Sequence, residues 1–320
     1  MIVLSADEIL GLLSVPEVIA AVEAALRAQD LKQCIVPQRH HIEWQGSTFL
    51  SMPAVGMRSV GVKLVSVVPG NAARSLPVTN GLMVINSAET GVPLAVMNAA
   101  TLTASRTGAV GALGVKYMTP QDSASVGIIG CGVQGTWQAI SACAVRPIKE
   151  VFALRRSAPS FERFRATVTR HVPTVAVVPC GDAHDLLKRT DIVIAATTAS
   201  EPVLPDDPAR LEGKHFISVG SYRKNMQELP DSVYRLAGEL AIDSEGARHE
   251  VGDVVNMVQK GILRNSDVYA IAELVAGRRS VNVHRTTAYK TAGNALFDLF
   301  VAEAMFDAAA LRGVGTEVAL

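Results

Sequence analysis

A glycine-rich turn near the middle of the chain has the spacing that a bound pyrophosphate requires. After an apolar run at residues 126–129, Gly130, Gly132 and Gly135 form a Gly-x-Gly-x-x-Gly pattern that opens a helix. In such a pattern the first glycine permits a tight turn, the second lets the backbone approach the pyrophosphate, and the third allows close helix–strand packing. The N–H groups of Val133 and Gln134 would face the anion together with the helix dipole. The turn therefore predicts a dinucleotide site.

The end of the next apolar run, at residues 150–154, indicates which dinucleotide is bound. Sites for NAD usually carry Asp or Glu about 20 residues beyond the glycines, where the carboxylate accepts hydrogen bonds from the ribose 2′-hydroxyl. This chain has Arg155, Arg156 and Ser157 instead. Guanidinium groups pair with a 2′-phosphate through charge-assisted hydrogen bonds. The sequence favours NADP(H), with NAD(H) as the alternative, although the arginines would also suit a solvated strand end.

Apolar runs alternate with helical stretches from residue 125 onward, which is typical of βαβ units and a parallel sheet. We expect strands at 126–129, 151–154, 175–178, 192–196, 215–219 and 239–242, and helices at 134–145, 160–171 and 182–188. The fourth strand ends in Thr197 and Thr198, a polar turn at the carboxyl end of a strand, where open α/β sheets hold their ligands. This turn is predicted to border the nicotinamide.

The first part of the chain has a different pattern. An amphipathic helix at 6–27 precedes β-like runs at 49–52, 60–68, 82–86 and 93–97, and a helix follows at 102–117. Pro120 and its polar neighbours suggest a domain boundary. We therefore predict an α/β protein: an α+β substrate-binding and dimerisation domain at 1–119, completed by a final helix within 294–320, and a Rossmann-type, doubly wound parallel sheet at 120–293.

Composition excludes several classes of partner. The chain has 320 residues, of which 49% are hydrophobic, and its 30 basic and 30 acidic residues give a formal net charge of zero. Length and hydrophobic content allow two domains with substantial cores. A neutral balance gives no electrostatic reason to propose nucleic acid or an anionic membrane as a partner, since those partners require a basic face. A small-molecule protein is the expectation.

Neither a metal site nor a secretory segment is predicted. The four cysteines lack C-x-x-C spacing, and none of the seven histidines forms an H-x-x-x-H pair. No apolar run approaches the roughly 20 residues of a membrane span. Residues 5–8 match a helix-capping box rather than a secretory leader. A cytoplasmic location is expected.

The order of several short motifs resembles the ornithine cyclodeaminase/mu-crystallin family along nearly the whole chain. These motifs are Pro-Gln-Arg at 37–39, Leu-Ser-Met-Pro at 50–53, Gly-Val-Lys-Leu-Val at 61–65, Pro-Gly-Asn at 69–71, Thr-Gly-Val-Pro-Leu at 90–94, Leu-Thr-Ala-Ser-Arg-Thr-Gly-Ala at 102–109 and Tyr-Lys-Thr-Ala-Gly-Asn-Ala at 289–295. The resemblance implies a homodimer whose second domain binds NAD(P). It also implies a small amino or imino acid as substrate.

The resemblance places three cations, Arg39, Lys63 and Arg106, around the substrate carboxylate. Each lies in an apolar or turn setting, where an unpaired charge is costly, so a protein carboxylate or an anionic ligand should meet it. Guanidinium forks suit bidentate contact with a carboxylate. Lys63 either orients the carboxylate or acts as a general acid or polarising charge. The bland alternative is a set of surface cations whose aliphatic stems lie on the core.

One departure from the family separates its activities. Tyr222 stands where cyclodeaminases and alanine dehydrogenases carry an Asp that handles the substrate amine, and a phenol with an ordinary pKa of about 10 is a poor base. Reduction of a preformed imine does not need that carboxylate. Ser221 or Tyr222 would then donate a hydrogen bond or hold a water beside the imine nitrogen, or Tyr222 would simply pack as a loop aromatic.

The leading hypothesis is an NAD(P)H-dependent reductase of carboxylate-bearing imines, with the cyclic ketimine 1-pyrroline-2-carboxylate as a representative substrate. Lys63, Arg106 and Tyr222 are the predicted catalytic residues, and Met52 and Ser221 join the cations around the substrate. The resemblance adds cofactor contacts at Asn71, Thr107, Val219, Gly220 and Gly293. Three alternatives stay open: ornithine cyclodeamination to proline, dehydrogenation of alanine or another amino acid, and non-catalytic, NADPH-gated ligand binding.

Overall fold

Strands and helices alternate along most of the chain, and the computed structural model describes them for residues 1–155 and 157–319. The strands are β1 (Ile2–Leu4), β2 (His40–Trp44), β3 (Ser47–Val55), β4 (Ser59–Val67), β5 (Thr79–Ser87), β6 (Pro93–Asn98), β7 (Ser125–Ile129), β8 (Glu150–Leu154), β9 (Ala176–Cys180), β10 (Ile192–Ala195), β11 (His215–Ser218), β12 (Leu240–Ile242), β13 (Val268–Ala270), β14 (Thr287–Lys290) and β15 (Thr316–Glu317). The helices are α1 (Ala6–Leu12), α2 (Val15–Asp30), α3 (Ala99–Met118), α4 (Val133–Val145), α5 (Ala158–His171), α6 (Ala183–Arg189), α7 (Pro208–Leu211), α8 (Asp231–Ala237), α9 (Ala247–Glu250), α10 (Gly252–Gln259), α11 (Ala272–Val275) and α12 (Ala295–Arg312).

The chain divides into two compact units. Unit 1 comprises Met1–Arg106 together with the C-terminal residues from Asn294, and unit 2 comprises Thr107–Gly293. The first division falls inside α3, whereas the sequence pattern placed a boundary after Thr119. A boundary inside a continuous helix gives no signal in the sequence, because no Pro-rich or polar linker separates the two units there.

Unit 2 contains a parallel sheet with the strand order β13-β12-β14-β11-β10-β7-β8-β9 in the described part of the chain. Its strands are short and mostly buried on both faces, as parallel strands covered by helices must be. The predicted Rossmann-type sheet is confirmed. The strand β14 was not predicted, because its sequence, Thr-Ala-Tyr-Lys, has no apolar run, yet it pairs with both β11 and β12.

Unit 1 contains a mostly antiparallel sheet with the strand order β15-β1-β6-β5-β4-β3-β2, in which β1 and β6 are parallel. The helix α12 packs on one face of this sheet, as the sequence predicted for the last helix. The contact is close at Gly61 of β4, where an added Cβ would lie 2.8 Å from Cδ1 of Leu299. Only glycine at this position lets α12 approach the strand so closely.

The opposite face of the unit 1 sheet carries exposed apolar side chains. Strand β2 and its neighbours place them on one surface, since residues opposite each other in antiparallel strands share a face. Four examples are Ile42 (61% exposed), Trp44 (66%), Leu64 (46%) and Leu82 (50%). A contiguous apolar surface of this kind is typical of an interaction site.

The prediction of one helix at 6–27 was wrong. The structure has two helices, α1 and α2, bent by 87° about a break at Leu13 and Ser14. The break has a local cause, because Ser14 and Glu17 form a capping box that starts a new helix. Within the described residues no single helix meets the length and hydropathy of a membrane span, although the bent α1–α2 pair does so when the two are taken together.

Candidate functional site

Two of the three predicted substrate cations share one buried carboxylate in unit 1. Asp298 of α12 accepts from Nζ of Lys63 through Oδ2 at 2.8 Å and from Nε of Arg106 through Oδ1 at 2.9 Å. Asp298 is 0% exposed and Lys63 is 2% exposed. The sequence argument required either a protein carboxylate or a ligand to meet these charges. Here a protein carboxylate meets both cations and neutralises one positive charge.

Lys63 is enclosed by apolar neighbours. Met52 of β3 and Met83 of β5 lie opposite it in the sheet register, share its face and are buried. Burial is the main cause that lowers the pKa of Lys63 to about 8, and the positive charges of Arg106 and Arg39 lower it as well. The negative charge of Asp298 raises this pKa and offsets part of the effect. Arg106 and Arg39 are therefore close enough to Lys63 to influence its charge, and Met52 lies opposite Lys63 in the sheet.

Arg106 keeps hydrogen-bonding capacity for a ligand. It binds Asp298 with Nε alone, and no acceptor in the described ranges bonds to its Nη1 or Nη2. These two nitrogens form the outer fork of the guanidinium, which binds a carboxylate end-on through two parallel N–H···O bonds. A small carboxylic acid can therefore meet Arg106 without displacing Asp298.

Sequence reasoning missed Asp298, although a signal existed. The residue stands alone among apolar neighbours in the first turns of α12, from Leu296 to Val301. A carboxylate at a position that the helical pattern buries needs a cation, because an uncompensated buried charge is very costly. That requirement pairs it with the buried Lys63 and Arg106.

The predicted glycine turn in unit 2 has the geometry that its spacing implied. Gly130 has φ +104°, and an added Cβ would lie 2.4 Å from the carbonyl oxygen of Ala196. A Cβ on Gly135 would lie 1.9 Å from the carbonyl oxygen of Gly130. A Cβ on Gly132 would meet no atom of the described residues within 4 Å. The protein itself requires the first and third glycines, whereas the second leaves space that a ligand can use.

The first turn of α4 beside that space offers unused polar groups. Gly132 is the N-cap and has no side chain to cap the helix. No described atom accepts from the N–H groups of Val133, Gln134 or Gly135, and Oε1 of Gln134 is buried without a partner in that part of the chain. These donors fit the pyrophosphate of a nicotinamide dinucleotide.

The end of β8 lies next to this turn, because β7 and β8 are neighbouring parallel strands. Arg155 is exposed directly after β8. Ser157 is the N-cap of α5 and accepts from the N–H of Ser160, so it has a structural function as well as the predicted one. Arg156, the third residue of the predicted phosphate-selective group, lies outside the described residues.

A second carboxylate that sequence reasoning did not place in the cofactor site, Glu228, joins the carboxyl ends of β10 and β11. Its Oε1 accepts from the N–H and hydroxyl of Thr197 at 2.6 and 2.9 Å, and its Oε2 accepts from the N–H of Gly220 at 2.6 Å. An added Cβ on Gly220 would lie 1.8 Å from the carbonyl oxygen of Thr197. Glu228 therefore joins the turn predicted to border the nicotinamide to the loop that carries the predicted cofactor contact Gly220.

Glu228 belongs to a buried network with Asp253, Lys290 and Ser218. Ser218 donates to both carboxylates and accepts from Nζ of Lys290 at 3.0 Å. Burial raises the pKa of Glu228 and lowers that of Lys290. Ser221 also lies inside this network, 0% exposed, and donates its hydroxyl to Asp253. The hydroxyl predicted to donate to the substrate thus already donates to a protein carboxylate.

Glu228 and Asp243 are the carboxylates that could replace the Asp of cyclodeaminases, and both already accept hydrogen bonds from the protein. Both oxygens of Glu228 accept internal hydrogen bonds, and Asp243 accepts from the N–H groups of Ala292 and Gly293 at 2.9 and 2.8 Å. Tyr222, at the position of the missing Asp, is 50% exposed beside the guanidinium of Arg223. This arrangement disfavours ornithine cyclodeamination.

The other predicted cofactor residues are distributed over both units. Asn71 lies in unit 1, where its Nδ2 donates to the carbonyl of Pro77. In unit 2, the carbonyl of Thr107 accepts from Nε2 of Gln138 in α4, Thr198 is exposed after β10, and Val219 follows β11. No group of three or more His, Cys, Asp or Glu side chains in the described ranges is arranged to hold a metal ion.

Comparison with known proteins agrees with this architecture. The sequence profile of the Ornithine cyclodeaminase/mu-crystallin family matches residues 1–312. A Delta(1)-pyrroline-2-carboxylate reductase of Bacillus cereus is 31% identical over 326 aligned positions, covering 99% of each chain. The structure of the Thermococcus litoralis Delta(1)-pyrroline-2-carboxylate reductase in complex with NADH and L-proline superposes with a TM-score of 0.92 at 31% identity, over 99% of this chain and 100% of that one. An archaeal alanine dehydrogenase dimer with bound NAD gives a TM-score of 0.91 at 29% identity, over 100% and 99%.

Proposed function

Because the chain belongs to the ornithine cyclodeaminase/mu-crystallin family, we propose that it is an NAD(P)H-dependent reductase of imines that carry a carboxylate. The representative substrate is 1-pyrroline-2-carboxylate, which would be reduced to proline. Relatives that reduce this ketimine match along nearly the whole chain. The cytoplasmic location expected from the sequence is part of the proposal, and cell fractionation tests it.

One observation carries the proposal: Lys63 and the unused fork of Arg106 are held side by side by Asp298. The fork binds the substrate carboxylate, and Lys63 lies next to it as a second cation. Lys63 and Arg106 together carry two positive charges against the one negative charge of Asp298, so an anionic substrate is attracted to the cluster. A neutral or cationic ligand would gain no such stabilisation.

The chemistry needs one hydride and one proton. A nicotinamide dinucleotide held at Gly132 and the first turn of α4 would supply the hydride for the new C–H bond at the imine carbon, and the π electrons of the C=N bond would move to nitrogen. The nitrogen takes up the proton. Protonated Lys63 either supplies that proton or polarises the imine before transfer, since its ammonium shares Asp298 with Arg106 and is the member of the pair that can lose a proton. The two products are the secondary amine and the oxidised cofactor.

The direct test is to mix the protein with NADPH and 1-pyrroline-2-carboxylate and to follow cofactor oxidation and proline formation together. Equal amounts of oxidised cofactor and proline are expected. Parallel reactions with ornithine, assayed for ammonia, and with alanine plus NADP+ report the two alternative activities. Binding of the ketimine without cofactor oxidation at any pH would instead identify a ligand-binding protein and overturn the proposal.

We further propose that NADPH is preferred to NADH, although the related T. litoralis structure contains NADH. The support is the missing carboxylate after β8 and the exposed Arg155 in its place. Replacing Arg155 by serine is expected to lower kcat/KM for NADPH by about tenfold, the lower end of the range for a hydrogen bond to a charged group. The value for NADH should stay unchanged. Arg163→Ser, an exposed arginine on α5, is the control; an equal loss with both cofactors would contradict the prediction.

We also propose that two copies associate through the exposed apolar face of the unit 1 sheet, since the related alanine dehydrogenase is a dimer. Light scattering of the wild type is expected to give twice the chain mass of 33.8 kDa. Leu64→Glu places a charge in the centre of this face and should give monomers. Leu311→Glu, at a leucine of α12 that is 87% exposed, should not. A wild-type monomer would refute the proposal.

A further inference from the structure

The helix α12 and the strand β4 face each other through two polar contacts. Ser59 donates its hydroxyl to Glu303, and Lys63 donates to Asp298. Both acids are buried. Between these contacts Gly61 admits Leu299, so the helix is fixed against the strand along its length. Of the two acids, only Asp298 also binds a residue of α3, namely Arg106.

We propose that Asp298 is a positioning residue for the carboxylate clamp: it holds Lys63 and Arg106 in one orientation and retains the proton on Lys63. This inference rests on the proposed function. The bond from Nε to the Asp298 carboxylate orients the guanidinium so that Nη1 and Nη2 stay available for a ligand. A neutral side chain at position 298 would not hold the guanidinium in this orientation. The same carboxylate limits Nζ of Lys63 to a position between Asp298 and Thr103, whose hydroxyl lies at 3.4 Å.

Charges of both signs act on Lys63: those of Asp298, Arg106 and Arg39. Arg106 faces it from α3 and Arg39 from the segment before β2, and both disfavour its proton. The flanking strands β3 and β5 contribute the neutral Met52 and Met83. Among the described residues Asp298 is the only carboxylate bonded to Lys63 or Arg106. Without it, two cations would share a buried site, and the lysine is the one that can lose its charge.

The test is Asp298→Asn, which keeps the shape of the side chain and removes its charge. The pH dependence of kcat/KM for NADPH-dependent reduction of 1-pyrroline-2-carboxylate is measured in both proteins. We expect the alkaline limb of the pH profile to shift to lower pH by about one unit or more, because the pKa of Lys63 falls when the adjacent opposite charge is lost. Asp298→Glu, which restores the charge, should move the limb back towards the wild-type position.

Glu303→Gln is the matched control. It also removes a buried carboxylate from α12 and breaks a contact to β4, but it does not touch either cation. A merely structural effect of losing such a contact would appear in both variants, whereas the proposal expects the pH limb to move only in Asp298→Asn. An unchanged limb in folded Asp298→Asn, or an equal movement in Glu303→Gln, would overturn the inference.

A measurement without catalysis separates this inference from the proposed function. Lys63 has an ordinary pKa of 10.5 when unfolded and about 8 when folded. Between these values the unfolded chain binds more protons, so the contribution of Lys63 to stability rises with pH across that window. Lys63→Met removes this contribution. The difference in the free energy of unfolding between the parent protein and Lys63→Met, measured as a function of pH, therefore isolates it. In the Asp298→Asn background the rise should begin at lower pH; the same onset in both backgrounds would refute the role of Asp298 even if the protein reduces no ketimine.

Discussion

Replacing Lys63 by methionine is expected to lower kcat for reduction of 1-pyrroline-2-carboxylate by about 10²- to 10⁴-fold, the range that a positioned proton donor contributes. The variant removes the only cation of the clamp that can give up a proton near neutral pH, because burial brings the pKa of Lys63 to about 8. Binding of the substrate should weaken less, since Arg106 keeps its outer fork. Steady-state kinetics with saturating NADPH separates the two effects.

The substitution should not unfold the protein. Methionine fills the space between Met52 and Met83, and Asp298 keeps one cation, Arg106, at 2.9 Å. The buried site then holds one positive and one negative charge. Lys116→Met, at an exposed position on α3, is the control for the change in side-chain type and should leave kcat unchanged.

The pH dependence of the wild type follows from the same lysine. Below about pH 8 Lys63 is protonated and can donate, and above it the proton is lost, so kcat/KM, which reports the pKa of the free enzyme, should fall as the pH rises through this value. Lys63→Met should lack this alkaline limb. If the variant keeps the wild-type kcat and shows only a raised KM, Lys63 binds the carboxylate and does not take part in proton transfer.

Gly132→Ala is expected to weaken binding of NADPH by about 10- to 100-fold while leaving the protein as stable as the wild type. The backbone at Gly132 has φ −87° and ψ −171°, which alanine adopts freely, and the added Cβ meets no protein atom within 4 Å. It would instead occupy the space of the pyrophosphate. The cost of such an overlap is about 1–3 kcal/mol, which corresponds to this loss of affinity. Fluorescence titration with NADPH measures it.

Two other glycines calibrate this experiment. Gly181 in the same unit also has open space around an added Cβ and no positive φ, so Gly181→Ala should bind NADPH normally. Gly135→Ala is not a suitable test, because its Cβ would lie 1.9 Å from a carbonyl oxygen and would disturb the turn itself. Normal affinity in Gly132→Ala would mean that the pyrophosphate does not approach this residue.

Local signals sufficed for four neighbouring strands of the unit 2 sheet. The strands β7, β8, β10 and β11 were predicted within one residue at each end, because each is a short apolar run that is buried in a parallel sheet. The glycine turn was also predictable from a short stretch of sequence, because the conformation at Gly130, Gly132 and Gly135 depends on residues close to them in the chain. Even the break between α1 and α2 had a readable signal in the Ser14–Glu17 capping box.

Contacts between distant residues decided the rest. Asp298 is 235 residues from Lys63 and 192 from Arg106, and nothing in the local pattern of any of the three shows that one carboxylate binds both cations. In the same way, Glu228 joins Thr197 to Gly220, and β14 becomes a strand because β11 and β12 leave a place between them. Most strands and helices, and the residue types that carry charge, were readable from the amino-acid sequence, since they follow from local propensity and burial. The pairing of the charges, like the formation of β14, depends on how distant segments pack, so it became visible in the folded protein.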